Sequence, residues 1–198
     1  MATNISMCFR YGKEFCKLPK KDLYRKEYYM SEFKVIKPIE IDENVGKLIG
    51  KDWMLVTAKK DNHINTMTAS WGGLGVMWGR DVAYTVIRPQ RFTKKFVDGS
   101  THFSLSFYDN KYRETLSYLG KVSGRDEDKI SKSGLTVAEE LDTPYFEEAK
   151  LVLICKKMFA QPLNENSFLD TSLIEKWYPN RDYHELYIAE IEKVLIKK

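Results

Sequence analysis

Cysteine and histidine are scarce in this chain of 198 residues, with three of each. Cys8, Cys16 and Cys155 are too few and too scattered for a disulfide framework, and none stands in a CxxC pair, which argues against a zinc ribbon. With only His63, His102 and His184, no metal site built mainly from histidine is expected. Long apolar runs are also missing: none approaches the roughly 18–20 residues that span a membrane. The start is polar and basic, without the apolar core of a secretory signal. The expectation is a cytoplasmic protein with free thiols and no membrane partner. Asn4-Ile5-Ser6 fits a glycosylation acceptor, but with no readable secretory route it reads as chance.

Several catalytic signatures are absent as well. Gly12-Lys13, Gly46-Lys47, Gly50-Lys51 and Gly120-Lys121 lack the rest of a P-loop. Gly72-Gly73-Leu74-Gly75 is not GxGxxG and does not open a helix. His184-Glu185 has no second histidine at HExxH spacing, and GxSxG does not occur.

What is present is a body of ordinary globular composition, 43% hydrophobic and 30% charged, large enough for one core. The net charge is +4, and residues 1–29 carry all of it, with seven basic and three acidic side chains. The remaining 25 basic and 25 acidic residues cancel. A nucleic-acid binder would carry its basic face on the folded body, so none is expected here. Residues 1–29 read as an accessory extension, and Met30-Ser31-Glu32-Phe33 as the opening of a domain that runs to Lys198.

The patterning of that body is mostly β. Trp53–Ala58, Asn65–Trp71, Val82–Ile87 and Leu151–Phe159 read as strands. Thr101–Tyr108 alternates Phe103, Leu105 and Phe107 with Ser104 and Ser106, which predicts a half-buried strand. Thr93–Gly99 predicts a short helix, with Thr93 as N-cap and Gly99 past the end. Thr136-Val137-Ala138-Glu139 and Ser172-Leu173-Ile174-Glu175 fit capping boxes. Leu186–Ile196 is ambiguous by period. The sum is a β-rich domain with a few short helices, in the manner of a barrel.

Two segments carry chemistry. Asn65-Thr66-Met67-Thr68-Ala69-Ser70-Trp71-Gly72-Gly73 is lined by small and hydroxylated side chains, which let a flat ring approach backbone groups. A strand crowded against a neighbour would look the same. In Arg88-Pro89-Gln90-Arg91-Phe92-Thr93, two arginines and a threonine precede a helix N-terminus, which suits a phosphate. A solvated basic loop is the alternative.

Together these segments resemble the flavin reductase-like, FMN-binding split-barrel family, and its flavoredoxin-related branch in particular. The resemblance is carried by Asn65–Gly72, Arg88–Thr93 and Phe103–Phe107. Ser123-Gly124-Arg125-Asp126-Glu127-Asp128-Lys129, Phe168-Leu169-Asp170 and Asp182-Tyr183-His184 carry it further. It implies a mainly β protein with short helices, a six-stranded antiparallel Greek-key barrel that forms a homodimer. It also implies FMN near the dimer interface, faced by Thr66, Met67, Thr68, Ala69 and Ser70, with Trp71 flanking. By the same carry-over Arg88, Arg91 and Thr93 hold the phosphate, and Ser104 and Ser106 neighbour the flavin. Tyr183 and His184 either gate its open face or are structural. The implied activity is an NAD(P)H-dependent flavin reductase in which the flavin does the redox work and no side chain is catalytic in the strict sense. The alternatives are a flavoredoxin-like electron carrier reduced by another protein, and a non-catalytic FMN-binding module.

Overall fold

The computed structural model describes residues 32–198; the expected extension 1–29 and the start at Met30 lie outside them. One antiparallel sheet of eight strands dominates, in the path β3-β2-β6-β9-β10-β5-β4, with β1 paired to β10. The strands are β1 (Phe33–Ile36), β2 (Met54–Lys60), β3 (His63–Ala69), β4 (Gly72–Met77), β5 (Arg80–Ile87), β6 (His102–Phe107), β9 (Leu151–Pro162) and β10 (Glu185–Lys197). A separate hairpin pairs β7 (Val137–Glu140) with β8 (Thr143–Phe146). Among the described residues four α-helices join these strands: α1 (Phe92–Gly99), α2 (Arg113–Lys121), α3 (Lys129–Ser133) and α4 (Ser172–Trp177).

The connection between β3 and β4 sets the curvature. These strands lie at opposite ends of the sheet path. In a flat sheet six inter-strand steps would part them by about 29 Å. Only Ser70 and Trp71 join them, and three Cα steps reach at most about 11 Å. The sheet therefore curls until its two ends meet at Ser70-Trp71. Among the described residues no ladder joins β3 to β4, so both keep a free edge at that seam.

Alternation on the curled strands builds two cores. Met54, Val56, Phe103, Leu105, Phe107, Leu153, Tyr187 and Ala189 fill the inner one, plugged by Phe96 and Val97 of α1. Leu55, Val152, Ile154 and Leu195 face outward, under Leu116 and Leu119 of α2 and Tyr145 and Phe146 of β8. The β2–β3 hairpin turns on Asp61 and Asn62, both at positive φ (50° and 60°), as a two-residue turn between twisted strands requires.

Local expectations are corrected in three places, and one segment left open by its period is settled. Arg91, not Thr93, is the N-cap of α1, and Gly99 is its last residue. Thr136–Glu139 opens no helix; Val137–Glu140 is a strand, because Ala138 and Val137 pair with Tyr145 and Phe146 of β8. The β6 strand is buried on both faces, because the β7–β8 hairpin covers the face bearing Ser104 and Ser106. Leu186–Ile196 is strand throughout, within the 13 residues of β10.

Candidate functional site

The edge strand β3 is the backbone of the site. Met67 and Ala69 pack against the inner core, while among the described residues its outer edge has no strand partner. Backbone N–H and C=O groups along that edge are free to bind something flat. At its C-terminal end, a pocket of about 220 Å³ is lined by Met67, Thr68, Ala69, Ser70, Trp71, Arg88, Arg91, Trp177 and His184, with Val86. Beside it lies a second pocket of about 140 Å³, between the start of α1 and the end of α2. Arg91 lines both, and Thr93, Gly120, Ser123, Arg125 and Lys129 line the second.

The second pocket is electrostatically unfinished. Lys129 is only 3% exposed. Its Nζ donates to the Leu119 and Val122 carbonyls, both at 2.9 Å, at the C-terminal end of α2. Burial, and then the charge of Arg91, lower its pKa to about 8. Arg91 is half-buried and its pKa is lowered by the same loss of water. Among the described residues neither cation has a carboxylate partner. Two cations held together out of water, with no anion between them, form a site that favours an anion. The first turn of α1 adds amides that lack intrahelical acceptors.

The first pocket is walled by aromatics. Trp71 meets Trp177 edge-on at 5.0 Å, and the His184 ring lies 5.0 Å from Trp71. The His184 Nδ1 is 2.8 Å from the Tyr178 hydroxyl. Burial, reinforced by Arg88, lowers the His184 pKa to about 4, so its imidazole is neutral at pH 7.

The sequence-predicted residues divide between these pockets and the cores. Met67, Thr68, Ala69, Ser70, Trp71, Arg88 and Arg91 come together in the first pocket. Thr93 is 1% exposed; its Oγ1 accepts from Asn65 Nδ2 at 2.9 Å, and it reaches the second pocket. Thr66 is fully buried, bonded to the Thr57 hydroxyl at 2.9 Å and the Val56 carbonyl at 3.2 Å. Ser104 donates to the Pro144 carbonyl at 2.6 Å beneath β8, and Ser106 is buried on the same face. Thr66, Ser104 and Ser106 thus line neither pocket. Arg88 is committed elsewhere: it pairs with Asp182 and donates to the Trp177 carbonyl at 2.7 Å. It clamps the 177–184 segment onto the strand. Tyr183 stacks against Phe168 and Tyr178, outside the pocket lining.

Gly72 and Gly73 are accounted for inside the fold. A Cβ on Gly72 (φ +157°) would meet the Tyr84 carbonyl at 2.4 Å, and one on Gly73 would meet the Tyr84 ring at 2.5 Å. The space above them belongs to β5, not to a ligand. Sequence reasoning assigned no role to Lys129 or Trp177. Lys129 lies within the Ser123–Lys129 signature, but only its burial beside Arg91 exposes its part.

Fold and site together define a curled antiparallel β domain with a cation-lined pocket and an aromatic slot along one open strand edge. The chain belongs to the flavin reductase like domain family, whose model matches residues 47–198. No curated protein matches it. Among solved structures it is similar to an FMN-binding domain of a flavin reductases-like enzyme from Shewanella baltica OS155. That pair shows 17% identity and a TM-score of 0.62, covering 83% of this chain and 77% of that one. It is also similar to the flavoredoxin of Methanosarcina acetivorans (20%, TM-score 0.58, 82% and 77%). An FMN-binding protein from Thermus thermophilus gives 17% and 0.58, covering 82% and 83%. At these identities the likeness is one of fold.

Proposed function

We propose that this chain is an FMN-binding flavoprotein that oxidises NADH or NADPH. The observation that carries the reading is the uncompensated pair Arg91 and Lys129, which adjoins a flat-sided slot along a free strand edge. A planar heterocycle with a phosphate on a flexible tail matches both parts. Lys129, Arg91 and Thr93 hold the phosphate, with the first amides of α1. The edge of β3 from Met67 to Ser70 hydrogen-bonds the ring, and Trp71 and Trp177 close its sides. Arg88 acts through Asp182 and Trp177, as a clamp rather than a phosphate ligand. His184, neutral and tethered to Tyr178, offers its remaining ring nitrogen to the slot without adding charge. Bound FMN supplies the hydride-accepting chemistry, and the polypeptide supplies position and field. No side chain need transfer a proton in that step.

The slot's 220 Å³ is below the roughly 300–1,000 Å³ of a complete ligand pocket. Val76, Met77, Trp78 and Phe159 form an exposed apolar surface, with Trp78 and Phe159 6.2 Å apart, and Trp71 and Trp177 are exposed at the slot. A second copy of the chain would cover such a surface and deepen the slot, which supports a homodimer. Residues 1–29 are assigned no part in the site.

Anaerobic addition of NADH or NADPH to the FMN-loaded protein tests the activity. Bleaching of the flavin absorbance within seconds supports the reductase. A flavin that binds but bleaches only when a second redox protein is present overturns it in favour of an electron carrier.

A further inference from the structure

Three loops meet around a groove of about 490 Å³: residues 59–62 at the β2–β3 turn, 99–102 between α1 and β6, and 141–142 at the β7–β8 turn. It shares no lining residue with either pocket of the proposed flavin site. Thr101 and His102 line it. The Thr101 hydroxyl lies 2.9 Å from His102 Nδ1, and His102 Nε2 lies 3.0 Å from Glu192 Oε2. A carboxylate only accepts, so in the neutral ring Nε2 carries the proton. Nδ1 then turns its lone pair to the Thr101 hydroxyl. Hydroxyl, imidazole and carboxylate stand in the order that activates a hydroxyl as a nucleophile.

The sheet is irregular where this relay needs it to be. β9 lies between β6 and β10, and His102 pairs with Lys156 of β9. The β9–β10 register shifts between Ile191 and Lys193, which leaves Glu192 with no pairing partner on β9. An extra residue of this kind re-aims its side chain, and Glu192 reaches across β9 to His102. Its other oxygen lies 3.4 Å from Lys156 Nζ. Burial opposes ionisation of Glu192, but the bonds from His102 and Lys156 prevail and hold its carboxyl below the usual range.

The relay is open to solvent. The His102 and Glu192 side chains are 23% and 26% exposed, and Thr101 is exposed. The Lys157 N–H pins the Thr101 carbonyl at 2.9 Å. The neighbouring Ser100 hydroxyl is spent on the His102 carbonyl at 2.8 Å, so Thr101 is the hydroxyl the imidazole faces. Lys60 lies across Gly99, where a Cβ would meet its Cδ at 2.6 Å. Its ammonium has no carboxylate partner among the described residues, whereas Lys59 is paired with Glu139 and Asp142.

We propose that Thr101, His102 and Glu192 form a second site, separate from the flavin, that hydrolyses short-chain carboxylic esters. Thr101 Oγ adds to the ester carbonyl as its proton passes to His102 Nδ1. The tetrahedral species expels the alkoxide, which takes that proton and leaves as the alcohol, and an acyl-threonine remains. Water then adds to the acyl carbon, giving a proton to the same imidazole. Thr101 departs with that proton and the acid is released. One ester and one water become one acid and one alcohol. Glu192 positions the ring, and Lys60 is the cation available to the oxyanion.

The test follows release of p-nitrophenol from p-nitrophenyl acetate by the full chain, with peptide mass spectrometry after an acid quench. Wild type should turn over and carry acetyl on Thr101. Thr101→Val, close in shape, should lose about a hundredfold in kcat/KM with an unchanged thermal melt, and Thr101→Ser should keep the activity. Glu192→Gln should lower kcat about tenfold at constant KM, a split that a merely loosened strand would not give. Turnover no faster than that of free imidazole overturns the proposal. So does equal turnover by wild type and Thr101→Val, or acetyl found on lysines alone.

Discussion

Replacing Lys129 with glutamine removes one charge from the centre of the proposed phosphate site and should separate FMN from riboflavin. In the free protein the lysine sits at a pKa of about 8 against an ordinary 10.5. That difference is worth about 3 kcal/mol, the cost of holding the ammonium out of water beside Arg91. A phosphate at the pocket restores much of it, and solvent at the open side removes part of the gain. About 2 kcal/mol remains, so Lys129→Gln should weaken FMN about thirtyfold. Riboflavin, with no phosphate, should bind both forms alike. Binding should also follow pH. FMN affinity should fall as pH rises through about 8, where the free protein's Lys129 loses its proton. It should fall again below about 6, where a phosphate monoester loses its second charge. The sign for the free protein's stability is opposite. The folded pKa lies below the unfolded one, so the unfolded chain holds the extra proton between about 8 and 10.5, and stability rises with pH across that window. Isothermal calorimetry at a series of pH values, with both ligands and both proteins, reads all of this. Equal losses of FMN and riboflavin in Lys129→Gln, or a flat FMN profile from pH 7 to 9, would refute the reasoning.

His184 has a folded pKa of about 4 against 6.5, so stability should fall as pH drops from about 6.5 to 4. Urea titrations should show that slope flattened in His184→Gln. Gly72→Ala should cost on the order of 3 kcal/mol, since its Cβ would strike the Tyr84 backbone carbonyl, which cannot move without opening the β4–β5 ladder. Gly73→Ala meets only the movable Tyr84 ring and should cost less in the same thermal melts. Asp182→Ala frees Arg88 and Gln90 together and should destabilise by about 1–3 kcal/mol. Limited proteolysis should then cut between residues 164 and 184, and a variant as resistant as wild type would count against the clamp.

The β framework was legible because its signals are local. Phe103, Leu105 and Phe107 alternate, and Leu151–Ile154 form an apolar block, and both lie in strands as read. The second face of β6 was not legible. Its serines look solvent-facing until a hairpin more than thirty residues away lays Pro144 over Ser104. The β7–β8 hairpin was missed for the same reason, since its capping-box pattern is overridden by strand pairing. At the site, Asn65–Trp71 and Arg88–Thr93 announced themselves by spacing. The pairing of Arg88 with Asp182, 94 positions away, did not. Nor did the burial of Lys129 beside Arg91, which depends on how the end of α2 meets the start of α1.

Titration of flavin-free, full-length protein with FMN, beside Arg91→Ala, bears most directly on the flavoprotein reading. Arg91 lines both pockets and has no carboxylate partner among the described residues, so its loss should weaken FMN by at least tenfold while the fold holds. Saturable quenching at one FMN per chain, weakened in the variant, is the expected result. A wild type that leaves FMN fluorescence unchanged at micromolar protein would contradict the flavoprotein reading outright.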